Sequence, residues 1–418
     1  MTQLETLIQT LCPNGVKFVK LGEVGEFYGG LSGKTKEDFK DGNAKFITYK
    51  NIYSNLSLDI DVEDKVFVAE GEKQNTVQYG DVLFTGSSET PDECGMSSVL
   101  TTPTDEKLYL NSFCFGWRLF DKSIYLPDFL KHLFRCSSIR KEIGKTASGV
   151  TRFNVSKKKM QELQIPLPPL AVQSEIVRIL DKFTLYKAEL AAELAARLQQ
   201  YEYYRDQLLT FDDTVKRVKL GEVGDFYGGL SGKTKEDFKD GNAKFITYKN
   251  IYTNLSLDID VDDKVFVAEG EKQNTVQHGD VLFTGSSETP DECGMSSVLT
   301  RQTDEKLYLN SFCFGWRLFD KSIYLPDFLK HLFRCTAIRK EIGKTASGVT
   351  RFNVSKKKMA GISIPLPSLA EQERIVAILD RFDALCHDIR EGLPAEIDLR
   401  QKQYEHYRDK LLTFEAKG

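Results

Sequence analysis

The chain contains most of itself twice. Residues 19–160 recur as residues 218–359 at a constant offset of 199, and only eight of the 142 aligned pairs differ. A repeat of this length has the size of a domain and is far longer than the unit of a solenoid, so each copy is expected to bury its own core. The two copies must therefore fold alike and bind alike.

The segments that follow the two copies are also related, but only loosely. Residues 165–211 resemble residues 364–414, since both open on Ile-Pro-Leu-Pro and close on Tyr-Arg-Asp-x-Leu-Leu-Thr-Phe. The sequence therefore predicts an α+β fold in which two duplicated mixed α/β domains alternate with two long helices. The predicted boundaries are 1–18 for an N-terminal segment, 19–164 for the first domain, 165–214 for the first helix, 215–363 for the second domain and 364–418 for the second helix.

Composition excludes several classes of protein. Hydrophobic residues make up 41% of the chain, and no apolar run approaches the roughly 18 residues that span a bilayer. Residues 1–16 have helical apolar spacing without a basic start, which predicts a short amphipathic helix and not a secretory signal. The eight cysteines are scattered singly with no Cys-x-x-Cys, which favours buried thiols of a cytoplasmic protein over disulfides or a zinc site.

A net charge of −4 conceals a basic block in each copy. Residues 131–159 contain nine Lys or Arg against one acid, Glu142, and residues 330–358 repeat that count. Charge segregated in this way can turn two positive surfaces towards a polyanion while the rest of the chain stays acidic. DNA is the partner that the blocks favour, and a solvated helix face is the alternative.

Within one copy, the residue pattern predicts both strands and helices. Residues 45–53, 65–69, 82–85 and 108–120 are rich in β-branched and aromatic residues, as strands are. Residues 127–145 have an apolar stripe with helical spacing, residues 147–154 form a polar turn, and residues 155–164 predict a further short helix.

No catalytic constellation stands out in the chain. Residues 29–35 (GGLSGKT) resemble a phosphate loop, but the position five before Gly33 is Tyr28 where the pattern needs glycine. These residues therefore predict a turn, with Lys34 and Lys233 as candidate contacts to backbone phosphate. His132 and His331 lie on a predicted helix beside leucines and are interpreted as structural or surface residues.

Each connector has the periodicity of a helix with one buried seam. In the first, the apolar residues recur at steps of three, four and seven, and a helix over 170–209 would be about 60 Å long. The second contains Gly392-Leu393-Pro394, which predicts a kink or break. Two such seams bury each other most simply as an antiparallel, coiled-coil spacer. The prediction is a pseudo-twofold molecule in which the end of the chain returns near its beginning.

Short segments along the whole chain, repeated in order, resemble one known family. They are Val19–Val24, Ile47–Tyr53, Gly80–Phe84, Gly149–Asn154, Ile165–Leu170 and Tyr204–Leu209. The chain resembles the specificity subunit of type I restriction-modification systems. In that family each repeat is a target recognition domain that reads half of a bipartite DNA site, and the helices space the domains and dock two methyltransferase subunits.

The resemblance also implies where the chemistry resides. It implies a non-catalytic, cytoplasmic chain of a bacterial or archaeal cell that needs no cofactor or metal of its own. S-adenosylmethionine, ATP and magnesium are expected in the partners, which methylate adenine or, with a restriction and translocase subunit, cleave unmodified DNA. The start of the first helix departs from the usual Glu-Gln pair, having Val172-Gln173 where the second has Glu371-Gln372.

Near identity of the two domains predicts equal half-sites in inverted order, and hence a palindromic, interrupted target. Cations at the ends of the polar turn are the predicted phosphate contacts, and polar residues of the predicted strand end, the loop 86–90 and the turn are the predicted base contacts. The phosphate candidates are Lys145, Arg152, Lys157, Lys344, Arg351 and Lys356. The base-reading candidates are Tyr49, Lys50, Asn51, Ser87, Ser88, Ser148, Thr151, Tyr248, Lys249, Asn250, Ser286, Ser287, Ser347 and Thr350.

Two alternatives remain at this stage. A duplicated scaffold that binds two copies of a protein partner would also explain the repeat. A self-contained DNA methyltransferase would need an Asn/Asp-Pro-Pro-aromatic tetrapeptide, whereas Pro168-Pro169 is preceded by Leu167 and followed by Leu170.

Overall fold

A computed structural model of the chain describes residues 3–387 and 392–417. The chain divides into two compact units, one of Met1–Leu190 with Glu396–Gly418 and one of Ala191–Ala395. Each unit therefore holds one copy of the repeat, the start of one connector and the end of the other. The mixed α and β content, the duplication and the long helix between the copies confirm the predicted fold class.

The first copy folds into four small sheets. Its strands are Lys17–Lys20, Gly25–Gly29, Ala44–Ile47, Lys65–Val66, Thr76–Val77, Val82–Thr85, Ser87–Ser88, Ser97–Val99, Leu108–Leu110, Cys114–Leu119, Ala147–Ser148, Phe153–Val155 and Gln164–Leu167. Its helices are Gln3–Leu11, Leu21–Val24, Tyr49–Ser54, Pro127–Leu133, Ser137–Thr146 and Lys157–Met160, with 3₁₀ turns at Lys36–Phe39 and Pro91–Glu93.

The second copy repeats this order. Its strands are Arg217–Lys219, Gly224–Gly228, Ala243–Ile246, Lys264–Val265, Thr275–Val276, Val281–Thr284, Ser286–Ser287, Ser296–Val298, Leu307–Leu309, Cys313–Leu318, Ala346–Ser347, Phe352–Val354 and Ser363–Pro365. Its helices are Leu220–Val223, Tyr248–Thr253, Pro326–Leu332, Thr336–Thr345 and Lys356–Met359, with a 3₁₀ turn at Lys235–Phe238. The connector helices are Leu170–Leu208, Leu369–His387 and Leu393–Leu411.

The central sheet of the first copy carries the main core. Four antiparallel strands lie in the order Gly25–Gly29, Cys114–Leu119, Val82–Thr85 and Ser97–Val99. Trp117 is fully buried on this sheet, and its indole N–H donates to the Leu21 carbonyl at 3.2 Å. A second four-stranded sheet, which includes the parallel pair Ala44–Ile47 and Leu108–Leu110, forms a smaller lobe with its own cluster of buried residues.

The connectors extend the core of each unit. In the first unit, buried residues of the domain pack with Ile176 and Leu180 from one connector and Tyr404 from the other. Phe183 stacks on Tyr407 with 5.2 Å between ring centroids, and the Lys187 ammonium donates to Gln401 at 2.7 Å, so the two helices run antiparallel. The predicted antiparallel pairing of the seams is confirmed within this unit.

The second unit repeats that arrangement with the connectors exchanged. Phe382 stacks on Tyr204 with 5.6 Å between ring centroids, and Tyr201 contacts the His387 ring. The predicted interruption of the second connector is also confirmed, since one helix ends at His387 and the next begins at Leu393, with residues 388–391 outside the described part.

Several local predictions are wrong. Residues 49–53 form a helix and not the end of a strand, because the Thr48 hydroxyl accepts from the Asn51 amide and caps the helix N-terminus. Residues 127–145 form two helices, since the backbone is extended at Cys136. Pro166 lies within the strand Gln164–Leu167, which pairs with Lys17–Lys20 in a two-stranded sheet whose outer edge tolerates the missing N–H.

The remaining short predictions hold in outline. Gln3–Leu11 is the predicted N-terminal helix, and Val16 pairs with Ala416 while the Lys417 amide donates to the Val16 carbonyl at 3.0 Å. All eight cysteines are buried free thiols, as expected. Across the described helices, none is both long and apolar enough to cross a membrane.

Candidate nucleic-acid interface

A cleft opens beside the three-stranded sheet that contains Ser87–Ser88, near the end of the basic block. It has a volume of about 620 Å³ in the first domain, and its counterpart in the second has about 580 Å³. The helix Tyr49–Ser54 forms one wall, and a hairpin over 147–155 forms another. We call this the aromatic cleft; its residues are Tyr49, Lys50, Tyr53, Ser87, Ser88, Glu89, Glu93, Phe113, Thr151 and Arg152.

The aromatic rings of the cleft are placed for flat contacts. Tyr49 and Tyr53 lie one turn apart on their helix and stack with 6.1 Å between centroids at 17°. Phe113 is 61% exposed, and the Arg152 guanidinium lies 5.8 Å from its ring centroid. Aromatic rings and a guanidinium plane exposed in one cleft suit contact with nucleotide bases and with the thymine methyl group.

Hydrogen bonds hold the polar groups of the cleft in place. The Arg152 Nε donates to the Ser87 hydroxyl at 3.0 Å, and the Tyr49 hydroxyl donates to the Ser87 carbonyl at 2.9 Å. The strand Ser87–Ser88 pairs with Phe153–Val155, which fixes the hairpin against the cleft floor. Among the described residues, no hydrogen-bond acceptor is found for the other N–H groups of Arg152, and arginine is a residue type that contacts guanine or phosphate.

Glu93 supplies an ionised acceptor at the cleft rim. It accepts from the Tyr53 hydroxyl at 3.0 Å and from the Ser88 hydroxyl at 3.1 Å. These hydrogen bonds, Tyr53 first, lower the pKa of the Glu93 carboxyl. A carboxylate accepts from the exocyclic amine of cytosine. Glu292 makes the same contacts with Tyr252 and Ser287 in the second domain.

The structure brings six of the residues predicted in each copy into one cleft. They are Tyr49, Lys50, Ser87, Ser88, Thr151 and Arg152, matched by Tyr248, Lys249, Ser286, Ser287, Thr350 and Arg351. Ser148 and Ser347 are exposed on the hairpin strands. Lys145 and Lys157 are exposed on the helices at its two ends, as are Lys344 and Lys356. That these residues contact DNA stays a prediction.

Two predicted contacts lie elsewhere. The Asn51 side chain is buried, donating to the Asp59 carbonyl at 2.7 Å and accepting from the Asp59 amide at 3.2 Å, and Asn250 repeats this role with Asp258. The ammonium of Lys34 is paired with Glu72 at 2.6 Å with its side chain 7% exposed, and Lys233 is paired with Glu271 in the same way.

Three cations of the basic block are internal. The Arg135 guanidinium donates to the carbonyls of Ser97, Ile52, Tyr53 and Asn55, and Arg140 donates to those of Gly95, Asp92 and Cys94. Burial lowers the pKa of both guanidinium groups to about 10. Lys131 is buried and paired with Asp128 and Asp181. The surface charge of the block is therefore carried by the other six cations, Lys141, Lys145, Arg152, Lys157, Lys158 and Lys159.

Sequence reasoning missed the cleft residues Tyr53, Glu89, Glu93 and Phe113. Tyr49 and Tyr53 are four residues apart, a spacing that places two rings on one face only once the segment is known to be a helix. Phe113 lies in a turn between strands Leu108–Leu110 and Cys114–Leu119, and nothing in the local sequence separates it from a core phenylalanine.

The eight differences between the copies leave the aromatic cleft unchanged. None of the differing residues lines either cleft. The differing pairs are Glu26/Asp225, Ser54/Thr253, Glu63/Asp262, Tyr79/His278, Thr102/Arg301, Pro103/Gln302, Ser137/Thr336 and Ser138/Ala337. The two clefts therefore present the same chemistry.

A buried histidine ties each domain to both connectors of its unit. His132 is fully buried, its Nε2 is 2.7 Å from Asp181 and its Nδ1 is 2.8 Å from the Tyr404 hydroxyl. His331 bonds Asp380 at 2.7 Å and Tyr201 at 3.1 Å. Burial lowers the pKa of both histidines. The structural interpretation of these residues is confirmed.

A glutamine adds a second tie at the start of each connector. Gln173 is fully buried; its carbonyl accepts from the Leu126 amide at 2.9 Å, and its amide donates to the carbonyls of Ile124 and Pro168. Gln372 makes the equivalent bonds in the second unit. The domain is thus held rigidly on the helix that follows it.

The comparisons with known proteins identify a family of DNA specificity domains for this fold and its duplicated cleft. A family model described as the type I restriction modification DNA specificity domain matches residues 13–200 and again residues 212–399. The chain belongs to this family and carries its domain twice.

Named relatives are specificity subunits. The chain is 36% identical over 277 residues to the EcoR124I/EcoR124II specificity subunit of Escherichia coli, an alignment that covers 62% of this chain and 65% of that protein. It is 33% identical over 275 residues to the putative specificity subunit S.HindORF215P of Haemophilus influenzae, covering 64% and 68%. The chain thus spans about two thirds of the length of these curated relatives.

A solved structure of a type I restriction-modification system contains a chain of the same fold. It matches with a TM-score of 0.62 at 19% identity, covering 96% of this chain and 98% of that chain. The likeness supports the fold assignment over both copies and both connectors.

Proposed function

We propose that this chain is the non-catalytic specificity subunit of a type I restriction-modification complex, and that each aromatic cleft reads one half of a bipartite DNA site. The observation that carries the proposal is the repeated cleft. Each copy has exposed rings, an arginine and a carboxylate at its cleft, flanked by exposed lysines, in a family defined by DNA specificity.

The two half-sites should be the same, because the clefts are the same. Cations at the hairpin ends position the duplex through its phosphates, and the cleft residues contact base edges. With the domains in the inverted relation predicted from the sequence, the target is palindromic and interrupted. If the target were instead a direct repeat of the half-site, the two domains would have to bind DNA in the same orientation.

The partners proposed are double-stranded DNA, two methyltransferase subunits docked on the connector helices, and restriction and translocase subunits in the full complex, all in the cytoplasm of a bacterial or archaeal cell. Adenine methylation with S-adenosylmethionine, and cleavage with ATP and magnesium, belong to those partners. This chain supplies recognition and spacing, and is proposed to hold no cofactor.

Single-molecule sequencing for methyladenine tests the proposal. DNA is taken from cells that express the chain with its cognate methyltransferase subunit. A split motif with reverse-complementary halves is the expected result. Two different halves would show that the eight substitutions change recognition. No new methylation, with the methyltransferase active on another specificity chain, would contradict the proposed function.

A further inference from the structure

The second domain has a cationic groove beside its hairpin. The groove has a volume of about 680 Å³ and lies between helix Thr336–Thr345, the one-turn helix Lys356–Met359 and the sheet of Arg217–Lys219 with Ser363–Pro365. We call it the basic groove; its charged residues are Arg217, Lys340, Lys344, Lys358 and Glu341.

Three of the four cations of the basic groove have no partner of their own. Glu341 is paired with Lys344 at 2.6 Å. Arg217, Lys340 and Lys358 are exposed, and no carboxylate within ion-pair distance of them is found in the described ranges 3–387 and 392–417. Their charge is therefore available to an anionic ligand.

The first domain lacks this charge at the same place. Phe18 stands opposite Pro166 where Arg217 stands opposite Pro365, and Glu162 replaces Gly361. Glu162 lies beside the equivalent lysines and is itself paired with Lys20 at 2.7 Å. The second domain has four cations and one carboxylate here and the first has three cations and two carboxylates, so the basic groove is more positive by two charges.

The basic groove adjoins the hairpin over 346–354, whose turn lines the aromatic cleft of the second domain. The hairpin over 346–354 links helix Thr336–Thr345 to helix Lys356–Met359, and its turn contributes Thr350 and Arg351 to the aromatic cleft. At about 3.3 Å per residue, Lys344 lies at most about 20 Å along the chain from that turn. A duplex whose bases contact the cleft presents phosphates on both sides of a major groove about 12 Å wide, so its backbone can reach the basic groove over this distance.

Resting on the proposed function, we propose that the basic groove binds the DNA phosphate backbone, and that only the second domain makes this contact. The two domains then read the same bases but hold their half-sites with unequal strength. The second domain contributes more of the salt-dependent affinity, although its reading cleft is the same.

The test is the salt dependence of DNA binding by the full chain assembled with its methyltransferase subunits. Each phosphate contact adds about 0.9 to the slope of log affinity against log salt. Arg217→Phe and Gly361→Glu, which install residues the first domain already tolerates, should each reduce that slope by about one. Phe18→Arg with Glu162→Gly in the first domain, which together add two positive charges, should increase the slope by about two.

Arg301→Thr is the matched control. It also removes one cation from the second domain and also installs the residue of the first, but Arg301 is paired with Asp260 and does not line the basic groove. Its slope should equal that of the unchanged protein. Thermal unfolding midpoints show whether all the variants fold.

Three outcomes would overturn the proposal. If binding stays site-specific and Arg217→Phe has the same salt slope as Arg301→Thr, the basic groove does not bind phosphate. The proposed function would be unaffected by that result. Loss of methyltransferase subunits from the Arg217→Phe complex, seen by sedimentation with the slope unchanged, would make the groove a protein contact. Absence of specific binding by the unchanged complex would overturn the proposed function itself.

Discussion

The two domains and the two connectors of this chain differ in how alike their copies are. The domains differ at eight of 142 positions, whereas the connectors share chiefly the residues that hold a domain: Gln173, Ile176, Leu180, Asp181 and Phe183 recur as Gln372, Ile375, Leu379, Asp380 and Phe382. The two domains, which read DNA in our proposal, are thus nearly identical in sequence, whereas the two connectors are not.

Even buried connector positions differ between the units. Val172 is fully buried, whereas its counterpart Glu371 is half-buried and paired with Arg374 at 2.7 Å. Glu175 is 5% exposed and paired with Arg178, whereas its counterpart is the exposed Arg374. The two helix starts therefore offer different surfaces, while the ties from helix to domain are the same.

Removal of the buried histidine should have the largest effect, and the same effect in both units. His132→Ala and His331→Ala each leave a cavity and unpartnered polar groups, so each should destabilise its unit by about 2–4 kcal/mol. Hydrogen exchange monitored on the connector peptides 170–190 and 369–387 distinguishes the units, because peptides from within the domains are nearly identical. Protection that falls equally in both regions for either variant would show that the effect is not local.

Loss of the cleft arginine should weaken DNA binding equally from either domain. Arg152→Ala and Arg351→Ala should each cost about 1–3 kcal/mol of affinity for the specific site, since one directional contact is lost. Fluorescence anisotropy on a duplex carrying the methylated motif measures this. Lys107→Ala is a control on an exposed lysine outside the cleft. A tenfold difference between the two arginine variants would mean that the domains do not read alike.

Exchange of one connector residue should affect the two units unequally. Val172→Glu places a carboxylate in a fully buried position and should cost about 1–3 kcal/mol of unfolding free energy. Glu371→Val removes one exposed ion pair on a helix and should cost less than about 0.5 kcal/mol. Chemical denaturation compares them; equal losses would show that the difference between the helix starts is superficial.

Mild acid should destabilise both units together. The pKa of each buried histidine is lower in the folded state than in the unfolded state, where it is about 6.5, so the unfolded chain binds more protons as the pH falls below that value. Each histidine contributes a slope of at most about 1.4 kcal/mol per pH unit. The pKa values of Asp181 and Asp380 are lowered in the folded state. The stability that these two carboxylates contribute is therefore lost only under more acidic conditions, near and below pH 4. In the double variant His132→Gln/His331→Gln, the unfolding free energy should no longer fall between pH 6.5 and pH 5, which chemical denaturation at a series of pH values measures.

The smallest effect is expected at the pair Thr102/Arg301, where the two domains differ by one charge. Arg301 and Asp260 form an ion pair in which both side chains are more than half exposed. Arg301→Thr should change the unfolding free energy by less than about 0.5 kcal/mol and leave the methylated motif unchanged. A new motif for this variant would place Arg301 among the reading residues and contradict equal half-sites.

The architecture of two domains and two long helices could be predicted from the sequence. The repeat is visible as self-similarity, and the seams are visible as helical spacing of apolar residues. Of the eight apolar residues predicted to form the seam of the first connector, four are buried and four are partly buried. The buried ones are Ile176, Leu180, Leu190 and Tyr201, and the partly buried ones are Phe183, Leu194, Leu198 and Leu208. Residues 147–154 were predicted as a polar turn, and the structure shows the turn between two short paired strands, Ala147–Ser148 and Phe153–Val155. The antiparallel helix pairing within each unit followed from connectivity alone.

The site itself was only partly predictable, because tertiary contacts decide whether a polar side chain is buried or exposed. A charge count treats Arg135 as surface charge, whereas the fold uses it to satisfy four backbone carbonyls. Asn51 looked like a base-reading group, but the helix cap at Thr48 turns it inwards. Phe113 carried no signal until the strands on either side placed it at the cleft.

The helix Leu170–Leu208 begins in one compact unit and ends in the other, and the second connector does the same in reverse. The boundary between independently packed cores therefore does not coincide with the boundary between duplicated segments of sequence. The core of each unit is completed by a residue of the connector that ends in that unit, Tyr404 in the first and Tyr201 in the second. A cut in the first connector at the boundary between the units therefore leaves residues 396–418, which belong to the first unit, on the same fragment as the second unit.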